Sequence, residues 1–229
     1  KMAVFSNKAD EFARAVVARY FDADLFEIVR GEGGVLPLEK SFVDALEKEA
    51  AAHDFLLMCD EVQCGNGRSG TLYAYMQYGL SPDVVTTAKG LGGGLPLGAT
   101  LLGDKVADLF TPGSNGSTFG GNPIAAAGAL YVLSGLDDDL LAGVSRKSEQ
   151  IRAALTGAPG VESVTGLGLM LGVQTTLPAK EVASRCIKRG VLVLTAKDKV
   201  RLLPALNIPD DLLMQAIGIL KDICAEGVQ

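Results

Sequence analysis

Two short apolar stretches most constrain this chain. Phe55-Leu56-Leu57-Met58-Cys59 and Val84-Val85-Thr86-Thr87-Ala88 are continuous rather than alternating. Both are too short for a core helix, and a strand reads this way when both of its faces are buried, as in a parallel sheet covered by helices. The first run ends in Asp60-Glu61-Val62-Gln63 and the second in Lys89, followed by Gly90-Leu91-Gly92-Gly93-Gly94. Ligands of open α/β sheets bind at the carboxyl ends of their strands. A lysine closing a buried strand is costly unless it is used, and a desolvated neutral amine can attack a carbonyl. Snorkelling of Lys89 to solvent is the alternative. An aspartate at such an end can hold a protonated ring nitrogen, or can simply cap the next turn.

Periodicity extends this start to an α/β organisation. Strands are expected near Ala3-Phe5, Leu25-Val29, Phe55-Cys59, Val84-Thr87 and Leu97-Leu102, with helices near Asp10-Tyr20, Leu38-Ala52 and Val106-Phe110. Together they read as a mainly parallel, three-layer sheet domain over residues 1–135. Asn122-Pro123 opens a small-residue helix. Residues 136–229 read as a smaller α+β domain, with a long helix Leu140-Leu155 and strands around Val161-Thr165, Leu169-Thr175 and Val191-Leu194. A helix at Ala179-Arg189 and a last helix from Pro209 complete it.

Four motifs in register resemble one family. Asp60-Glu61-Val62-Gln63, Gly67-Arg68-Ser69-Gly70, Ala88-Lys89-Gly90-Leu91-Gly92-Gly93-Gly94 and Gly116-Ser117-Thr118-Phe119-Gly120-Gly121-Asn122-Pro123 are similar, in order and spacing, to motifs of the class III (ornithine-type) pyridoxal-phosphate aminotransferases. The nearest likeness is to acetylornithine and succinylornithine aminotransferases. The resemblance implies a fold-type I large domain and a ping-pong transamination of an N-acylornithine with 2-oxoglutarate. It also implies a homodimer with a shared active site, in the cytoplasm. Lys89 would bond covalently to the cofactor aldehyde and then move the proton. Asp60 would pair with the ring nitrogen, Gln63 would touch the ring hydroxyl, Thr118 would reach the phosphate across the dimer, and Ser117 would also bind the cofactor. Arg201 would clamp the substrate carboxylate, and Glu32 would pair with that arginine.

The chain also departs from the family pattern. Glu27-Ile28-Val29-Arg30 stands where the family carries Glu-Pro-Ile-Gln. Only Lys8-Ala9-Asp10 lies where a phosphate-cradling loop at a helix N-terminus is expected. The ring-stacking aromatic and an N-terminal segment of the family have no counterpart. Joined pieces of a longer protein, a natural remnant and an engineered minimal form all stay open. So do a non-catalytic chain that keeps the fold and another class III reaction, such as an aminomutase or an ω-amino acid transaminase.

Other readings are weaker. Gly65-Asn66-Gly67-Arg68-Ser69-Gly70 spells a dinucleotide fingerprint, yet no long helix is expected to open on its third glycine, so it reads as a turn. Cys59, Cys64, Cys186 and Cys224 lack metal-ligand spacing and have only His53 beside them, so free thiols are expected rather than zinc. His53 itself fits a helix C-terminus. A net charge of −6 argues against nucleic acid or an anionic membrane as partner. No apolar run reaches the ~18 residues of a membrane span.

Overall fold

The computed structural model describes residues 2–6, 27–29, 35–109, 111–113 and 116–228, with side-chain detail starting at residue 35. Its first sheet has the order β2-β1-β3-β4-β5, formed by β1 (Met2–Ser6), β2 (Glu27–Val29), β3 (Leu56–Asp60), β4 (Val84–Thr87) and β5 (Ala99–Leu102). The pairings β1–β2, β1–β3 and β3–β4 are parallel. The last, β4–β5, is antiparallel, and all four β5 residues are exposed. The expected helix Asp10–Tyr20 lies outside the described residues. Helix α1 (Lys40–His53) buries Val43, Leu46 and Ala50, which join Leu57, Cys59, Tyr73, Leu80 and Val85 in one apolar cluster. Its periodic apolar face is what drives that docking. His53 ends the helix, stacks on Phe55 and pairs with Glu49.

The helix expected near Val106–Phe110 is instead a single 3-10 turn, Ala107–Leu109. The segment is too short to repay helix nucleation, and Pro112 disfavours helical backbone at Thr111. Helix α2 (Pro123–Ser134) starts where Asn122-Pro123 predicts: the Asn122 carboxamide accepts from the Ile124 and Ala125 amides, and Pro123 sits in the first turn.

The second sheet is antiparallel, in the order β6-β7-β9-β8. It comprises β6 (Val161–Leu167), β7 (Met170–Thr175), β8 (Leu194–Ala196) and β9 (Lys199–Leu202). The strand expected at Val191–Leu194 begins only at Leu194. It forms a tight hairpin through Lys197, at φ 54°, with β9, a strand that the sequence analysis does not expect. Helices α3 (Asp138–Leu155), α4 (Ala179–Lys188) and α5 (Asp210–Ala225) supply Val144, Ile151, Val182, Cys186, Leu220 and Ile223 to a core shared with Leu171, Val173 and Val200. Each such side chain contributes about 1.5–3 kcal/mol on burial.

The chain divides into two compact units. Residues 38–67 and 71–137 belong with β1 and β2 to the first, and residues from Asp138 onward to the second. Residues 35–37 and Arg68–Gly70, earlier in the chain, also belong to the second unit. Leu169 donates its amide to the Arg68 carbonyl, and one terminal nitrogen of Arg68 donates to the carbonyls of Leu169 and Pro204. Gly168 is required there: a Cβ on it would lie 2.5 Å from the Arg68 carbonyl oxygen. Among the described residues, no helix is long and apolar enough to cross a membrane.

Candidate active site

Asp60 is the last residue of β3 and sits in parallel register with Thr86 of β4. Its Oδ1 accepts from the Val62 amide at 3.1 Å and from the Thr86 hydroxyl at 3.2 Å. These two donors fix the carboxylate at the strand end. Gln63 follows in the succeeding turn, half-buried. Lys89 lies three residues beyond Thr86, so the structure brings the carboxylate-bearing and amine-bearing ends of adjacent parallel strands together.

The setting of Lys89 differs from the expected buried strand end. Strand β4 stops at Thr87, Ala88 is extended, and Lys89 opens a 3-10 turn, Lys89–Gly92, with its side chain exposed. The glycines after Lys89 offer no side-chain packing to continue a strand. Lys89 itself has φ 50°, a left-handed conformation that a non-glycine residue rarely adopts. Strain of this kind costs about 1–3 kcal/mol and persists where the surroundings over-determine it. Helix α2 supports the turn closely: a Cβ on Gly128 would come within 3.1 Å of the Gly92 carbonyl oxygen, and Val132 abuts Gly93.

Glu61, beside Asp60, has a distinct role that the sequence did not suggest. It is buried, its amide donates to the Thr86 carbonyl, and its Oε1 accepts from the Tyr75 amide at 2.9 Å. Its Oε2 is buried with no hydrogen-bond partner among the described residues. Burial pushes the Glu61 carboxyl above its ordinary range, against the opposing pull of Cys64 and the Ala74 and Tyr75 amides. The folded chain therefore favours the neutral acid, whereas the unfolded chain releases that proton first as pH rises. Stability is lost as pH climbs from about 4 through the raised folded value. Glu61→Gln, which keeps an acceptor for the Tyr75 amide, removes this loss. Its melting temperature should gain on that of the wild type as pH rises above about 4. Melting curves that shift in parallel at every pH would sink this expectation.

The remaining candidates are dispersed. Ser117 and Thr118 are exposed, in the segment that leads into α2. Arg201 lies on β9 in the second unit, where alternation sends Val200 and Leu202 into the core and Arg201 to the opposite face. Glu32 and Arg30 lie outside the described residues, as does the Lys8-Ala9-Asp10 segment. The Gly65–Gly70 fingerprint is a turn followed only by the short 3-10 segment Ala74–Tyr78, which lacks the long helix of a dinucleotide site. None of the four cysteines is in a disulfide among the described residues, and burial pushes the Cys59 thiol up to about 12.

The chain is similar to known proteins along most of its length. The sequence profile of the family Aminotransferase class-III matches residues 14–224. An acetylornithine aminotransferase of Haemophilus ducreyi is 44% identical over 225 residues, which cover 97% of this chain and 57% of that protein. The N-acetylornithine aminotransferase structure from Stenotrophomonas maltophilia superposes with a TM-score of 0.81 at 32% identity, over 98% of this chain and 65% of that one. A Plasmodium falciparum ornithine δ-aminotransferase structure gives a TM-score of 0.82 at 27% identity, over 100% and 65%. The chain thus spans less than two thirds of the length of these relatives.

Proposed function

The chain belongs to the class-III aminotransferases, and from that premise we propose that it serves a pyridoxal-phosphate-dependent transamination of N-acetylornithine, or another N-acylornithine, with 2-oxoglutarate. One observation carries this reading: Asp60 ends β3 and Lys89 follows the end of the neighbouring parallel strand β4 by two residues, at the edge where open α/β sheets bind ligands. The donor set suits the cofactor in kind, since a carboxylate and a carboxamide stand at the end of β3 and an amine just past the end of β4. When bound, pyridoxal phosphate supplies an aldehyde that accepts an amino group and a ring that withdraws electrons from the substrate carbon.

The protein's own groups do the rest. Lys89 Nζ would hold the cofactor's aldehyde and would move a proton at the substrate carbon. Asp60, held by Val62 and Thr86, keeps a proton on the ring nitrogen. Gln63 donates to the ring oxygen, and the Ser117 and Thr118 hydroxyls serve the phosphate of a neighbouring subunit. Arg201 and Glu32 are assigned to the substrate carboxylate from the motif resemblance. The amino donor leaves before the 2-oxo acid arrives, which is a ping-pong order.

A homodimer belongs to this reading. Ile124, Leu130 and Tyr131 of α2 are 71%, 70% and 82% exposed, and Phe119 just before it is 84% exposed. An apolar surface of that kind suits a second copy. Cysteines that form no disulfide among the described residues suit the reducing cytoplasm, where we place the protein.

The test is direct. Adding pyridoxal phosphate to the purified chain should produce a visible absorbance band that is lost in Lys89→Ala. Borohydride reduction and peptide mapping should place the label on Lys89. If saturating cofactor gives neither band nor label, the chain keeps the fold without the chemistry. A label with turnover of other amines but not of N-acylornithines would favour another class III reaction.

A further inference from the structure

Asn66, between two glycines of the Gly65–Gly70 turn, has no part in the chemistry proposed above, yet it is built into the lysine's support. It is 7% exposed and adopts φ 53°, a conformation asparagine tolerates better than most residues. Its Nδ2 donates to the Ala88 carbonyl at 3.1 Å and to the Thr87 hydroxyl at 3.0 Å. A carbonyl can only accept, so the amide nitrogen must face Ala88, and the orientation of the carboxamide follows. Thr87 is itself 2% exposed and its hydroxyl lies 3.4 Å from the Asn66 Oδ1. The Ala88 carbonyl also accepts from the Leu91 amide, which closes the turn.

That carbonyl shares its peptide plane with the Lys89 nitrogen. Fixing the plane fixes the direction in which the Lys89 side chain leaves the backbone, and the φ of 50° needs such a restraint to persist. We infer that Asn66 is a positioning residue for Lys89: its carboxamide, anchored on Thr87, holds the Ala88–Lys89 peptide in the orientation that presents the Lys89 amine at the strand end. The inference rests on the reading of Lys89 as the cofactor lysine.

Two variants test it while respecting the backbone. Asn66→Gly tolerates the positive φ and removes both donors. Asn66→Asp keeps an acceptor for Thr87 but cannot donate to Ala88. In both, exchange of the Leu91 amide should accelerate about tenfold, the size of one lost hydrogen bond, while amides of β7 keep their wild-type rates. The pyridoxal phosphate concentration that half-labels Lys89 under borohydride should rise about tenfold, because the amine is no longer pre-aimed. Unchanged exchange at Leu91 overturns the inference. So does faster exchange with wild-type labelling, which would leave Asn66 a merely structural residue. A wild-type chain that never labels at Lys89 overturns the reading of the lysine and the inference together, whereas a labelled wild type with indistinguishable variants overturns the inference alone.

Discussion

Lys89→Ala should lower transamination of N-acetylornithine by about 10⁴-fold or more, since it removes both the covalent attachment point and the proton-moving base. The melting temperature should hardly change, because Lys89 is exposed and surface substitutions usually stay within about 0.5 kcal/mol. Lys89→Arg is the informative companion. It preserves the cation and much of the reach, but a guanidinium stays protonated and is no nucleophile. If Lys89 acted only as a positive charge, Lys89→Arg would recover most of the rate. The reading predicts that it recovers none. Steady-state rates with both substrates, measured beside thermal melts, decide the matter. An alanine variant within tenfold of the wild type would remove Lys89 from the mechanism.

The largest effect on folding is expected at Gly160, which precedes β6. Its φ is 75°, and a Cβ there would lie 1.9 Å from the Cys224 carbonyl oxygen and 2.5 Å from the carbonyl carbon. Both atoms are backbone near the end of α5, so no side chain can swing aside. The Gly160 carbonyl also accepts from the Thr176 amide, which ties the same turn to the end of β7. Gly160→Ala must therefore displace α5 from the core that holds Leu220 and Ile223. Freeing two such side chains costs about 3–6 kcal/mol, against a total stability of about 5–15 kcal/mol for an ordinary domain. Gly157→Ala is the matched control. It has the same φ of 75° with nothing within 4 Å of the added carbon, so only the backbone term of about 1–2 kcal/mol applies. Urea unfolding of the two variants separates close approach from backbone preference. Equal losses would mean that the contact with Cys224 does not matter.

Some features were legible in the sequence because their signals are local. The continuous apolar runs gave β3 and β4. Asn122-Pro123 gave the start of α2, since an acceptor side chain and a fixed φ are properties of those residues themselves. The hairpin of β8 and β9 was not legible. It turns on Lys197 in a left-handed conformation with no glycine to announce it, and β9 has only Val200 and Leu202 as apolar markers. Lys89 was legible as a residue but not as a conformation. The sequence suggested a buried strand end, whereas the chain leaves the strand at Thr87 and exposes the lysine on a turn.

The sequence alone therefore carried the family resemblance, the order of its motifs and the candidate site residues, because side-chain identity and spacing are written residue by residue. Only the tertiary structure decided that Asn66 holds the Ala88 carbonyl, that Arg68 fastens to Leu169 and Pro204, and that Glu61 is buried beside Asp60 with a spare oxygen. The physical reason is common to the first two. Their acceptors are backbone carbonyls, which every residue carries alike, so nothing in the sequence marks which carbonyl a distant side chain will reach until the path of the chain is known.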